Sequence, residues 1–96
     1  MFRHIVCFKL KQEEKDKASE AANRLRSLIA IPEVKAIDVG IDELKSARSY
    51  DIALVVDFDS RSDYEIYDKH ELHQPVRQFM HSVVETSVAA DFEREQ

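Results

Sequence analysis

Tyr50-Asp51-Ile52-Ala53-Leu54-Val55-Val56-Asp57-Phe58 is the stretch of sequence that decides the fold. Its middle is apolar at every position, so a strand built from it is hydrophobic on both faces. Such a strand is typical of the centre of a sheet that is covered on both sides. The sequence therefore predicts a central strand here, and neighbouring segments must pair with it.

Three other segments carry the signals of strands. Residues 2–10 alternate between two faces: Phe2, His4, Val6, Phe8 and Leu10 on one, and Arg3, Ile5, Cys7 and Lys9 on the other. Residues 34–41 alternate in their second half and contain Gly40, the only glycine of the chain, which indicates a bulge or a close approach. Residues 87–92 alternate again, so the sequence predicts four strands in all.

Helical patterns lie between these strands. Apolar residues recur every three or four positions over residues 13–30, and the helix should end before Pro32 because a residue that precedes proline avoids helical geometry. After the central strand, Ser60 or Ser62 can cap a short helix that carries two tyrosines. A further helix has Pro75 in its first turn and a stripe of predicted core residues: Val76, Phe79, Met80, Val83 and Val84.

The resulting order of strand, helix, strand, strand, helix, strand is that of the ferredoxin-like split βαβ sandwich, an α+β fold. Four strands then form an antiparallel sheet with the helices on one face. The central strand is apolar on its other face too, and no segment is left to cover that face. Because an uncovered apolar sheet face is normally an interface, we expect a homodimer in which two sheets stack about a two-fold axis.

Composition limits the class of function. The chain has 96 residues, 44% hydrophobic and 34% charged, which predicts one globular domain over residues 1–96. A net charge of −5 without a basic patch argues against a nucleic-acid partner, and an RNA-binding ferredoxin-like module would also need exposed aromatic residues on its strands. No apolar run approaches the roughly 20 residues that span a bilayer, and the first residues lack a signal-peptide pattern, so we expect no membrane partner and a cytoplasmic location. Cys7, the only cysteine, has apolar neighbours and is expected to be a buried, unreactive thiol.

Five segments follow one another in a distinctive order and spacing: Arg3-His4-Ile5-Val6-Cys7-Phe8-Lys9, Ile31-Pro32-Glu33-Val34 leading to Gly40, Tyr50 through Phe58, residues 67–73, and Asp91-Phe92-Glu93. Together they resemble the stress-responsive dimeric α/β-barrel (Dabb) family over nearly the whole chain, from Phe2 to Glu93. The resemblance implies a homodimer in which two sheets form one barrel, and a domain of the stress-response type.

The same resemblance implies a candidate site. Some members of the family are cofactor-independent cyclases of polyketide intermediates, and they use a histidine and a tyrosine in a cavity between the helices and the sheet. The family's tyrosine followed by His-Pro-x-His corresponds to Tyr67, His70 and His73, with Glu71 in place of the proline. Its first-strand histidine corresponds to His4, and Ile52 stands where cyclase members have a polar residue.

Three roles are open for these residues. In a non-catalytic domain, His4, His70, Tyr67 and His73 would line a pocket for a small apolar ligand. In a cofactor-free enzyme of the cyclase or monooxygenase type, His73 would act as the general base and Tyr67 would donate a hydrogen bond to a substrate carbonyl. In a purely structural role, the histidines would bond to the backbone and the tyrosine would bury its ring.

A metal site and a bound cofactor are not expected. His70 and His73 are three positions apart on a helical pattern, with Asp68 and Glu71 nearby, which resembles half of a metal site. Two imidazoles are too few ligands for a tight transition-metal site, and neither a cysteine nor a third histidine stands at motif spacing. A loosely held cation at the dimer surface is the alternative that the pattern leaves open.

Overall fold

The structure is a computed structural model that describes residues 1–95, and the predicted order of elements is confirmed. The strands and α-helices, in chain order, are β1 (Phe2–Leu10), α1 (Ala18–Arg26), β2 (Ala36–Ile41), β3 (Ile52–Phe58), α2 (Arg61–Lys69), α3 (His73–Val83) and β4 (Val84–Glu93). Short 3₁₀ segments, Gln12–Lys17 and Ser27–Ala30, precede and follow α1. The helix predicted over residues 13–30 is therefore α-helical only in its middle.

The four strands form one antiparallel sheet in the order β2-β3-β1-β4. The two strongest strand segments of the sequence, β3 and β1, occupy its centre and pair from Phe2 opposite Phe58 to Phe8 opposite Ile52. The edge strands are β2, which pairs with β3, and β4, which pairs with β1 along almost its whole length. This is the predicted four-stranded ferredoxin-like arrangement.

One face of the sheet packs against the helices and forms the core. The alternation of β1 and β3 places their larger apolar side chains on this face, and α1 and α3 contribute their apolar stripes. The buried apolar side chains are Phe2, Val6, Leu10, Ala21, Ala22, Leu25, Leu28, Ile31, Val34, Val39, Ile52, Leu54, Val56, Phe58, Tyr67, Val76, Met80 and Val83.

Three local predictions need correction. Gly40 is not a bulge, because β2 pairs with β3 in unbroken register from Ala36 to Ile41, and no other atom lies within 4 Å of where a Cβ would stand. Val84 does not continue the stripe of α3, because the chain turns to extended geometry there and begins β4. Of the two possible caps of α2, Ser60 is the one used, since its hydroxyl accepts a hydrogen bond from the Asp63 N–H at 3.2 Å.

No helix of residues 1–95 packs on the opposite face of the sheet, which is called the open face below. Residues directly opposite each other in neighbouring strands project to the same side, so the pairing identifies its members. They are Ala36, Asp38 and Gly40 of β2, Ala53, Val55 and Asp57 of β3, Arg3, Ile5, Cys7 and Lys9 of β1, and Thr86, Val88, Ala90 and Phe92 of β4. Val88 and Phe92 are 50% and 43% exposed.

Asp57 is the one buried charged residue among those described, at 6% exposure, and it lies on the open face. Its carboxylate accepts two hydrogen bonds from the Arg3 guanidinium, at 2.8 and 2.9 Å, and Arg94 lies 3.6 Å away. The bond from Arg3 lowers the pKa of Asp57 below its usual value, so the pair is ionised at neutral pH. Within residues 1–95, no helix is long and apolar enough to span a bilayer.

Candidate functional site

A cavity of about 200 Å³ lies between the sheet and helices α2 and α3. Apolar side chains form much of its wall, and its polar groups come from α2 and α3 and from one residue each of β1 and β4. The residues that line it are His4, Val6, Phe8, Leu25, Leu54, Tyr64, Tyr67, Asp68, His73, Val76, Arg77, Met80, His81, Val84 and Ser87. Three of the four predicted site residues, His4, Tyr67 and His73, are therefore brought together.

Tyr67 projects from α2 into the core and is 1% exposed. Its ring packs on Phe58, with ring centres 5.0 Å apart, and stacks on His73 at 4.6 Å. Its hydroxyl makes no hydrogen bond within residues 1–95. Among these residues, Glu33 Oε1 is the only wholly buried side-chain nitrogen or oxygen without a partner. The Tyr67 hydroxyl is therefore not fully enclosed. Burial raises the pKa of Tyr67 well above its ordinary value of 10, so the phenol remains a proton donor at neutral pH.

His73 is the first residue of α3, and its ring is oriented by the end of α2. Nδ1 lies 3.2 Å from the Tyr67 carbonyl oxygen and 3.1 Å from that of Asp68. A carbonyl can only accept, so Nδ1 carries the proton in the neutral ring and Nε2 is left with a free lone pair. Burial, and secondly the positive charge of Arg77, lower the pKa of His73 below its ordinary 6.5. The ring is therefore a neutral base at neutral pH.

His4 faces the helices from β1, and its side chain is 12% exposed. Its Nδ1 donates a hydrogen bond to the Asp91 carboxylate, which lies directly opposite on β4. Because Nδ1–H is committed to this carboxylate, Nε2 is the nitrogen available to a ligand. The ring also packs beside Tyr64, with centres 4.9 Å apart. His4 is therefore hydrogen-bonded to a side chain that is 87 residues away in sequence.

An ion pair borders the cavity beside His73. The Nη2 atom of Arg77 lies 2.6 Å from Asp68 Oδ1 and also donates to the Asp68 carbonyl at 3.0 Å. The sequence patterns predict neither the role of Arg77 nor the bond between Asp91 and His4. Arg77 is one helical turn after His73, at a spacing that places both on the same side of α3, and that periodicity could have identified it.

His70 is not among the residues that line the cavity. It ends α2, where its Nδ1 accepts a hydrogen bond from the Leu72 N–H at 3.1 Å, so it shapes the connection between α2 and α3. Within residues 1–95, no three residues of the types His, Cys, Asp and Glu form a cluster that could hold a metal ion.

The sequence profile of the stress responsive A/B barrel domain (Dabb) matches residues 2–94. The chain belongs to the Dabb family. None of the curated proteins compared with it matches this Dabb chain.

Several solved structures share the fold of this chain. A dimeric protein of unknown function from Bacteroides fragilis is 26% identical, with 97% of this Dabb chain and 95% of that chain covered and a TM-score of 0.84. A dimeric ferredoxin-like protein of unknown function from Thermobifida fusca is 27% identical over 95% of this chain and 88% of that chain, with a TM-score of 0.77. An antibiotic biosynthesis monooxygenase shares 13% identity over the full length of both chains at a TM-score of 0.80, which shows a common fold.

Proposed function

We propose that this protein is a homodimer whose subunits each bind a small, mostly apolar molecule with one oxygen-containing polar group. The observation that carries the proposal is the set of three polar atoms at the cavity without partners in residues 1–95: the Tyr67 hydroxyl and the Nε2 atoms of His73 and His4. None of these three atoms is wholly buried, so each stays accessible to a ligand that can form a hydrogen bond with it.

The cavity limits the size and the character of the ligand. A volume of about 200 Å³ far exceeds the space that one water needs, but it is smaller than the ~300–1,000 Å³ of sites for drug-sized molecules. Val6, Leu25, Leu54, Val76 and Met80 provide an apolar wall. A carbonyl or hydroxyl oxygen on the ligand could accept from Tyr67, while a ligand hydroxyl could donate to His73 Nε2.

The homodimer is supported by the open face and by related proteins. This face exposes Val88, Ala90 and Phe92 beside other apolar residues, and no helix of residues 1–95 packs on it. The two structures that share 26% and 27% identity with this chain are both described as dimeric. We expect a solution mass of about twice 11.2 kDa by light scattering, and a monomer at micromolar concentration would contradict the homodimer.

Ligand binding can be tested with protein purified directly from its expression host. Native mass spectrometry and a crystal structure near 2 Å should show an organic molecule beside Tyr67 and His73. His73→Asn should release it, because asparagine keeps a donor to the α2 carbonyls but removes the Nε2 lone pair. His70→Asn is the matched control, because His70 does not line the cavity, and it should retain the ligand. Equal retention by both variants would contradict the proposed site.

A second candidate is a cofactor-free enzyme, favoured by the protonation states of two groups. A neutral His73 with a free Nε2 can remove a proton from a carbon next to a carbonyl, while the protonated Tyr67 hydroxyl donates to the enolate oxygen. The carbanion would then close a ring on a second carbonyl, and His73 would return the proton to the new alkoxide. With short polyketide-like substrates, His73→Asn should reduce turnover by about 10²- to 10⁴-fold, and an unchanged rate would exclude His73 as the base.

The family's description adds a cellular setting to the proposal. We expect the protein to be cytoplasmic and to increase in abundance under stress, as the name of the stress responsive A/B barrel domain suggests. Fractionation and quantitative proteomics before and after oxidative, thermal and osmotic stress would test both statements. Unchanged abundance under all three stresses would contradict a role of this protein in the stress response.

A further inference from the structure

Arg77 is the only lysine or arginine among the described residues that line the cavity. It lies one helical turn after His73 on α3, so both side chains project to the same side of that helix. Its side chain is 37% exposed, which means that the guanidinium group belongs to the cavity wall and also reaches solvent. The ligand contacts proposed above use Tyr67, His73 and His4 and leave this positive charge without a role.

The contacts of Arg77 within the chain use only part of its guanidinium group. Nη2 donates to the Asp68 carboxylate at 2.6 Å and to the Asp68 carbonyl oxygen at 3.0 Å. It also lies 3.5 Å from His73 Nδ1, but both of these atoms carry hydrogen and neither can accept from the other. The N–H groups of Nε and Nη1 make no hydrogen bond within residues 1–95. Asp68 therefore fixes the guanidinium group in place and leaves donors for a further acceptor.

We propose that the small molecule bound in this cavity is an ionised carboxylic acid and that Arg77 binds its carboxylate. This inference rests on the proposed ligand-binding function and names the chemical class of the ligand. Arginine suits this task because its planar N–H groups match carboxylate oxygens, and the opposite charges strengthen each hydrogen bond. The remainder of the molecule would then lie along the apolar wall that Val6, Leu54 and Met80 help to form.

The charges around the cavity favour an anion with a single negative charge. Arg77 supplies one positive charge, and Asp68, the only acidic residue among the described ones that line the cavity, already shares it. His73 adds no positive charge at neutral pH, because burial and the charge of Arg77 hold its pKa below the ordinary 6.5. A phosphate monoester carries roughly two negative charges near neutral pH and would need further cations. A carboxylate needs no more than Arg77 provides.

Asp68 has two opposite effects on the proposed contact. Its hydrogen bonds hold Arg77 at the cavity, so the guanidinium group is in position before a ligand enters. Its negative charge also weakens the attraction of Arg77 for an anion, because two opposite charges largely cancel each other at a distance. Preference for a carboxylate therefore depends on direct hydrogen bonds to the free N–H groups of Arg77, and variants of the pair can separate this contact from the general electrostatic field.

Hexanoate and its neutral amide, hexanamide, test the class of the ligand because they differ in charge but hardly in shape. Dialysed wild-type protein should bind hexanoate about 10- to 100-fold more tightly than hexanamide at neutral pH, as expected for hydrogen bonds between charged groups. Isothermal titration calorimetry would measure both affinities. Equal affinities would overturn the inference and leave the ligand-binding cavity in place. Binding of neither compound would contradict the proposed function itself.

Two charge-neutral replacements separate contact from field. Asp68→Asn with Arg77→Gln removes one charge of each sign, so the net charge of the cavity wall is unchanged, yet the preference for hexanoate should disappear. Asp68→Asn alone should tighten hexanoate binding by roughly 2- to 5-fold, because Arg77 is then no longer shared. Arg61→Gln with Glu65→Gln removes an exposed ion pair of α2 that does not line the cavity, so this matched control should keep the preference.

Two results with the Asp68→Asn/Arg77→Gln protein would overturn the inference. An undiminished preference for hexanoate would place the carboxylate away from Arg77. Loss of hexanamide binding together with hexanoate binding would show that the ion pair maintains the shape of the cavity and does not recognise the charge of the ligand. Circular dichroism of each variant would confirm that the fold is intact.

The pKa of His73 gives an independent readout by NMR. The positive charge of Arg77 is one of the causes that lower this pKa, so an anion bound beside Arg77 should raise it. Saturation with hexanoate should therefore raise the His73 pKa. Hexanamide should leave it unchanged or lower it, because an uncharged ligand adds burial without a charge. An equal change of the pKa with both compounds would overturn Arg77 as the binding residue.

Discussion

At the scale of single residues, the candidate site depends on which nitrogen of His73 carries the proton. Residues 67 and 68 are in the last turn of α2, where backbone carbonyls lack helical partners and accept hydrogen bonds from side chains instead. His73 Nδ1 supplies such a bond, so a stabilising contact of the backbone also selects the tautomer that leaves Nε2 basic. The same bond serves the structural role and the ligand-binding role that the sequence left open.

We expect site-specific NMR titration to show a neutral His73 with its proton on Nδ1. Burial and Arg77 lower its pKa below 6.5, so the unfolded chain binds more protons than the native protein between the native pKa and 6.5. The His73 contribution to stability is therefore complete above pH 6.5 and is lost as the pH falls through the native pKa. Assignment would use His73→Asn, and a ring that titrates above pH 6.5 would contradict the expected environment.

Tyr67→Phe should separate packing from ligand binding. The hydroxyl has no partner in residues 1–95, so its removal should change the free energy of unfolding by less than about 1 kcal/mol, whereas Tyr67→Ala should cost roughly 3–5 kcal/mol because the ring is buried. Ligand affinity should fall by about 2- to 10-fold in Tyr67→Phe, as expected for the loss of one hydrogen bond. Chemical denaturation and ligand titration would measure the two effects, and a large loss of stability in Tyr67→Phe would reveal a structural hydroxyl.

At the scale of elements, the break between α2 and α3 is held by side chains of α3. Besides His73, Gln74 donates to the carbonyls of Asp68 and His70, at 3.4 and 3.2 Å, and Arg77 donates to Asp68. These bonds satisfy carbonyls at the end of α2 and fix the angle at which α3 leaves. The two helices can therefore place Tyr67 and His73 beside one cavity, although a short non-helical connection separates α2 from α3.

The start of α2 provides a direct test of its cap. Ser60→Ala should lower the free energy of unfolding by about 1 kcal/mol, because the Asp63 N–H loses its acceptor. Ser62 lies inside the helix and contacts the Ser60 hydroxyl, so Ser62→Ala is the matched control and should change stability by less than about 0.5 kcal/mol. Urea denaturation of both variants would measure the difference, and a larger effect of Ser62→Ala would move the cap to that residue.

At the scale of the whole molecule, the sheet separates two functions. The face toward the helices holds the core and the cavity, and the open face offers the proposed dimer interface. Strand β4 contributes to both faces. Asp91 contacts His4 on the helix side, and Val88 and Phe92 are exposed on the open face. Both edges of the sheet are formed by strands that depend on a single neighbour, β2 on β3 and β4 on β1. A second copy over the open face would cover both of these edge strands.

Dimerisation should make thermal stability depend on protein concentration. The Tm should rise when the protein concentration is raised about a hundredfold, from roughly 1 to 100 µM, because association stabilises only the folded chain. Val88→Asp should remove this dependence by placing a charge in the interface. Leu44→Asp is the matched control, because Leu44 is 82% exposed in the loop before β3, and it should keep the dependence. A Tm that is constant with concentration in the wild type would indicate a monomer.

Much of the architecture follows from the sequence because alternation and helical periodicity are local properties. They identified β1, the core of α1, β3 and the helix after Pro75, and the apolar character of β3 on both sides predicted a sheet with a second face to be covered. The choice of Tyr67 and His73 as site residues came from the resemblance of residues 67–73 to the Dabb family. The strand and helix signals each depend on residues that are close together in the sequence.

Only the tertiary structure decided the contacts between distant residues. Four features depend on strand register or on the angle between helices. They are the bond between His4 and Asp91, the tautomer of His73, the position of His70 outside the cavity, and the set of residues that share the open face. The pattern around Gly40 led to a wrong prediction of a bulge for the same reason. Local sequence gives the periodicity of an element, but packing over the whole chain decides which residues of different elements stand opposite each other.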